Sequence, residues 1–184
     1  RAMDPTCPSW VKLQSVTYGD PLPNVALGKP ATQLSTYQDR DSNEAHQAVD
    51  GNDNSFTHTN CNDPEPWWEV DLLDTYTIGS MKIVNRLDCC GGRLHDFDIT
   101  FLNETKGVVK SMYNAGGIGN RKTYSTDFVD ARFVKIQLRD IDCLQLGEVA
   151  LYGYPAYLPF PTESLDVVTV GEDAARCWGT KGSR

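Results

Sequence analysis

Nine residues of the 184-residue chain, Asn85-Arg-Leu-Asp-Cys-Cys-Gly-Gly-Arg93, combine two arginines, an aspartate and two adjacent cysteines. Each arginine presents a planar fork of N–H donors and no acceptor, which suits a ligand rich in oxygen lone pairs; Asp88, lying between Arg86 and Arg93, is a natural orienting acceptor. A surface salt bridge is the plainer account of any single Arg-x-Asp, because such pairs are common and weak. The cysteines add a second feature. A Cys89–Cys90 bond holds the Cα atoms roughly 3.8 Å apart, below the usual disulfide range of about 4.4–6.8 Å. It closes almost no loop of the unfolded chain, so stability is not its purpose. It would instead give a flat, rigid, apolar plate beside the arginines. The alternative joins each cysteine to a distant partner, and spacing leaves the two open.

The elements that must position these residues are strands. Ile78 to Val84 is an apolar run that reads as a buried strand, and Gly91-Gly92 marks the loop that leaves it. Trp68, Val70 and Leu72 alternate with Glu69 and Asp71; Phe97, Ile99 and Phe101 alternate with Asp98 and Thr100; Val134, Ile136 and Leu138 alternate with Lys135, Gln137 and Arg139. Period two dominates, Gly, Asn, Asp and Pro fill the gaps, and no helical period lasts three turns. The expectation is an all-β sandwich or barrel of short antiparallel strands. Within the alternation Trp68 faces the core, and Trp67-Trp68 reads as packing rather than as a sugar platform.

Composition bounds the function. The chain is 40% hydrophobic, enough for one buried core, and no apolar run approaches the ~18 residues of a membrane span. A formal net charge of −8 opposes binding to nucleic acid or anionic lipid. Six cysteines without a Cys-x-x-Cys pair favour disulfides over zinc, and hence an oxidising, extracellular setting. Arg1-Ala-Met-Asp-Pro5 resembles a vector scar. Residues 1–23 form a lead-in, and residues 155–184, with a proline-rich start and no clear period, form an extension or linker. Asn103-Glu104-Thr105 is a glycosylation sequon. A glycosidase would need paired carboxylates; only Asp88 lies near the site and no nucleophile motif appears, so the chain is not read as an enzyme.

A second cluster precedes His58. Asp50, Asn52, Asp53 and Ser55 crowd hard oxygens around the Gly51 turn, a spacing that suits calcium, although a solvated acidic turn is the commoner occurrence.

Together these residues resemble the F-type lectins, the fucose-binding lectin domains, in which a histidine precedes Arg-x-Asp and, four residues on, Arg or Lys. Here 27 residues lie between His58 and Arg86-Leu87-Asp88, one more than in the family, and four residues lie between Asp88 and Arg93. The extra residue falls near the loop-like stretch Thr59 to Pro66. The resemblance runs from Asn24 to Tyr154 through Asn24-Val-Ala-Leu-Gly-Lys-Pro-Ala, Ala48-Val-Asp-Gly-Asn, Pro66-Trp-Trp-Glu-Val-Asp-Leu and Gly147-Glu-Val-Ala-Leu-Tyr-Gly. Several of these motifs also occur in discoidin-like domains at large; the His, Arg-x-Asp, Cys-Cys, Arg set points to fucose. The resemblance implies a discoidin-like jelly roll over residues 24–154, with binding loops gathered at one end.

It also implies roles. Arg86 and Arg93 would donate to sugar oxygens, His58 would add a third polar group, and the Cys89–Cys90 plate would carry the apolar ring edge. Tyr37 is the candidate for a pocket around the 6-methyl group. A structural calcium ion would be held by Asp50, Asn52, Ser55 and Glu148, with Gln47 and Gly147 as backbone donors. Many family members carry cysteines where this chain has Phe56 and Gly147; a displaced Cys61–Cys143 bridge would compensate, leaving Cys7–Cys177 for the extensions. The expected partners are fucosylated glycans of the blood-group or Lewis type on cell surfaces. The chain is also similar to lectin modules that precede a cholesterol-dependent pore-forming toxin, but lacks their tryptophan-rich membrane-contacting peptide, so it should not itself insert into membranes. The rival expectation is a discoidin-like adhesion module without fucose specificity.

Overall fold

The computed structural model describes residues 21–156. The vector-like start, the Cys7–Cys177 pairing and nearly all of the C-terminal extension lie outside the described residues.

Eight strands carry the fold: β1 (Ala31–Gln33), β2 (Asp63–Pro64), β3 (Trp67–Val84), β4 (His95–Leu102), β5 (Val108–Gly117), β6 (Arg121–Leu138), β7 (Ile141–Asp142) and β8 (Glu148–Pro155). The main sheet runs β1-β3-β6-β4-β5, β8 pairs with β3, and every pairing is antiparallel. The expected all-β, discoidin-like β-sandwich is therefore the fold. One feature differs from the expected short strands. Trp67–Leu72 and Ile78–Val84, read separately in the sequence, are two ends of one 18-residue strand, and β6 is equally long. The first part of β3, up to Asp71, pairs with β1 and with Phe133–Gln137 of β6; the part from Tyr76 pairs with β8 and with Arg121–Ala131 of β6. These two strands thus run through both layers of the sandwich.

Irregularities in register let β3 make that turn. The ladder shifts between Asp71 and Tyr76, where Leu73 adopts φ 68° and its N–H bonds to Asp71 Oδ1, and again between Ile78 and Ser80. A bulge bends the strand and exchanges its faces. Trp68, Val70, Leu72 and Ile78 are buried before the second shift, and Met81 and Ile83 after it, so the inward set passes from even to odd positions. All six join one core with Phe97, Ile99, Ile136, Val149 and Leu151. Trp68 is fully buried with its indole N–H on Ala45 O at 2.9 Å, whereas Lys135 lies over the half-buried Trp67 ring. Asn24 bridges to Tyr152 and accepts the Leu151 N–H, pinning the start of the domain to its last strand. The sequon residue Asn103 lies at the exposed β4–β5 turn, the opposite end of β4 from Arg93.

Candidate functional site

The end of β3 delivers Asn85, and Asn85 builds the loop that follows. Its side chain is buried and its Nδ2 donates to Gly91 O and Gly119 O at 2.8 and 2.9 Å, while its Oδ1 accepts the Arg86 N–H. One carboxamide therefore ties the Cys-Cys-Gly-Gly turn to the segment before β6. On this loop Arg86 grips Asp88 bidentately, Nε to Oδ1 at 2.6 Å and Nη2 to Oδ2 at 2.9 Å. The guanidinium holds the exposed Asp88 carboxyl down to about 2. Asp88 was expected between two arginines, but it serves Arg86 alone. Arg93, in the short 3-10 helix Gly91–Arg93, has no side-chain hydrogen-bond or ion-pair partner among the described residues, so its donors stay available. Cys89 and Cys90 are bonded to each other with Cα atoms 3.8 Å apart, and both are exposed. Cys90 occupies the left-handed region at φ 62°.

His58 is fixed from three sides. Thr57 and Thr59 donate backbone N–H groups to Leu146 O and Leu144 O, and their hydroxyls accept the Leu146 and Leu144 N–H groups. His58 N–H bonds to Asn43 O, and its own carbonyl accepts the Tyr37 N–H. The predicted Cys61–Cys143 disulfide is formed, and its sulfurs lie within 4.8 Å of a His58 ring nitrogen. With both sulfurs in a covalent bond, that group of three is a buttress for the imidazole and not a metal centre. His58 Nδ1 lies 2.6 Å from Thr59 O, which assigns the proton to Nδ1 and leaves the Nε2 lone pair as an acceptor. Burial, together with the charges of Arg86 and Arg93, pushes the His58 pKa below its ordinary value despite the opposing Thr59 contact. The Tyr37 ring stacks on the imidazole with centroids 4.5 Å apart. The structure thus brings together Tyr37, His58, Arg86 and Arg93 beside the Cys89–Cys90 plate.

Phe56 is a functional neighbour the sequence did not single out. The Thr57–Leu146 and Thr59–Leu144 bonds set a register in which Phe56 stands opposite Gly147. The Arg86 guanidinium lies over the Phe56 ring, 3.9 Å from its centroid. Gly147 leaves no alternative there, since a Cβ would come within 2.8 Å of Asn85 O. In place of the cysteine pair that the family resemblance implies at Phe56 and Gly147, this chain sets a ring under an arginine, and its covalent link is Cys61–Cys143. The only hint of this in the sequence is the departure from the family pattern.

The acidic cluster forms as expected around Gly51. Ser55 Oγ lies 2.8 Å from Asp50 Oδ2, 2.7 Å from Asn52 O and 3.3 Å from Gln47 O. Glu148, 2% exposed, accepts the Gly51 N–H on Oε2, while its Oε1 has no hydrogen-bond partner among the described residues. Burial, with the nearby charges of Asp50 and Asp53, pushes its carboxyl up to about 7. A buried carboxylate with an orphaned oxygen, facing a ring of hard oxygens, fits calcium. Gly147 donates its N–H to Val84 O, beside the cluster. His46 is paired with Glu44, and His95 with Asp96 and Asp142.

Residues 47–136 match the family model of the NedA-like, galactose-binding domain. Fucolectin-4 of Anguilla japonica is 38% identical over 68% of this chain and 77% of its own length, and Fucolectin-2 of the same eel is 46% identical over the same shares. Among solved structures, a fucose binding module of Streptococcus pneumoniae superposes with a TM-score of 0.67 at 31% identity, covering 74% of this chain and 99% of the module. The lectin domain of lectinolysin, solved with Lewis B antigen, gives 0.65 at 35% identity over 71% and 96%. The shared fold, the histidine and arginine constellation and these identities converge: the chain belongs to the fucolectin family, the F-type lectins.

Proposed function

We propose that this chain is a carbohydrate-recognition module that binds terminal α-L-fucose on fucosylated glycans, without catalysis. The observation that carries the reading is the convergence of three polar groups with complementary roles. The Nε2 lone pair of His58 accepts a hydroxyl proton, Arg86 and Arg93 donate to hydroxyl or ring oxygens, and all three lie beside an exposed apolar disulfide plate. A sugar hydroxyl both donates and accepts, so one axial hydroxyl can satisfy His58 and an arginine together. Tyr37, stacked on His58, would line the pocket for the 6-methyl group. Fucose binding by the solved S. pneumoniae module and Lewis B in the lectinolysin structure support this reading.

A structural calcium ion on Asp50, Asn52, Ser55 and Glu148, with Gln47 and Gly147 contributing backbone oxygens, belongs to the same proposal; it would neutralise the buried Glu148 and fix the turn leading to His58. The module would work outside the cell, where its disulfides persist, and no helix among the described residues is long and apolar enough to cross a membrane. A single shallow sugar site binds weakly, so a parent adhesin or pore-forming toxin that clusters such sites would supply avidity.

Titration calorimetry of L-fucose and L-galactose tests the reading on the wild type and on Arg86→Ala. Saturable fucose binding abolished by the substitution is expected. A folded wild type silent towards both sugars at tens of millimolar (about −2 kcal/mol or less of affinity) would return the chain to the adhesion class.

A further inference from the structure

Three hydrogen bonds close a circuit around the Tyr37–His58 stack. His58 donates its N–H to Asn43 O at 3.0 Å, the Asn43 carboxamide donates Nδ2–H to Tyr37 O at 3.0 Å, and Tyr37 donates its N–H to His58 O at 2.8 Å. Two of these bonds join backbone to backbone, and the side chain that completes the circuit is that of Asn43, 7% exposed. Gln33 ties the circuit to the end of β1, its Nε2 reaching Thr36 Oγ1 at 3.1 Å and Asn43 O at 3.0 Å. The turn enclosed in this way is one the chain does not favour by itself. Gln38 and Asp39, both exposed, follow Tyr37 in the left-handed region at φ 56° and 48°. That conformation costs free energy in a residue with a Cβ and persists where the surroundings over-determine it, as they do at ligand clamps. What the turn delivers is the Tyr37 ring, 4.5 Å from the imidazole centroid and inclined to it by 24°.

We propose that Asn43 is a positioning residue of the sugar site: its Nδ2 bond to Tyr37 O holds the 37–43 turn in the one geometry that keeps the Tyr37 ring against His58. The inference rests on the fucose reading and deepens it. Asn43 itself does not touch the sugar. Without its donor, Gln38 and Asp39 relax out of the left-handed region and carry the Tyr37 ring away. The imidazole then keeps its Nδ1 contact with Thr59 O but loses the wall on its face, and the pocket for the 6-methyl group loses its side. Packing alone does not select asparagine here, because the group that acts is a donor aimed at a carbonyl.

The test is Asn43→Ala, with Asn43→Asp as a second variant that keeps the shape and removes the donor. Fucose affinity is measured by calorimetry, and the His58 ring-proton signals by NMR at a temperature where the variants are folded. Those signals carry the ring current of Tyr37, and Tyr37→Ala marks their position with no ring above the imidazole. The expected result is a fucose affinity about tenfold weaker, with the His58 signals moved from the wild-type position towards that of Tyr37→Ala. A role in stability alone would leave those signals in place. Affinity within about twofold of the wild type, or weaker affinity with the His58 signals unmoved, overturns the assignment and leaves the lectin reading standing. Two variants that fail to fold would make Asn43 a residue of the fold and overturn it as well. A wild type that does not bind fucose overturns both readings.

Discussion

Arg86 makes more partnerships than any other side chain of the site: a bidentate bond to Asp88, a ring contact with Phe56, and a charge felt by His58. Phe56→Ala should leave the fold intact and weaken fucose binding several-fold, in line with a cation–π contact of about 0.5–2 kcal/mol, as read by calorimetry. His58 sets the pH response. Its folded pKa lies below 6.5, so the unfolded chain takes up the proton first; the stability it contributes is present above pH 6.5 and is lost as pH falls through the lowered folded value. Protonation also turns the accepting Nε2 into a donor facing two arginines. Fucose affinity should therefore be level above pH 6.5 and fall only below it. An affinity that rises on acidification would contradict the assigned tautomer.

The element that matters most is the loop from Asn85 to Arg93, and its geometry comes from one buried side chain. Asn85→Ala removes bonds to Gly91 O and Gly119 O and should cost about 1–3 kcal/mol in chemical denaturation, with a loss of sugar binding larger than that stability change would bring at a remote site. The segment bearing His58 depends instead on the Cys61–Cys143 link, whose ends are 82 residues apart. In the chain-entropy account a loop of that size is worth about 4–5 kcal/mol. The Cys61→Ala/Cys143→Ala double variant should melt many degrees lower. Binding at low temperature should weaken as well, because the disulfide packs against the imidazole.

At the scale of the molecule, the pairing of the long strand β3 with β8 brings the site loop and the acidic turn to neighbouring positions: Val84 pairs with Glu148, one strand leading to Arg86 and the other beginning at the buried carboxylate. Calcium loading should therefore be felt at the sugar site. Chelation is expected to lower the melting temperature, and calcium at about a hundred times its dissociation constant to restore about 2.7 kcal/mol. Glu148→Gln should abolish that response.

The sequence by itself determined the β class, the inward residues of the segments at Trp68–Leu72, Phe97–Phe101 and Val134–Leu138, the Arg-x-Asp loop, the acidic turn and, through the family resemblance, His58 and the displaced disulfide. These are properties of local order: period two, turn residues and fixed motif spacing are written along the chain. Joining Trp67–Leu72 and Ile78–Val84 into one strand was not, because an irregular stretch around Leu73 reads as a turn until its neighbours pair across it. Nor could the sequence set Phe56 beneath Arg86, restrict Asp88 to one arginine, or tie Thr57 and Thr59 to Leu146 and Leu144. Those contacts join residues up to about ninety positions apart, and only the folded chain decides which side chains meet.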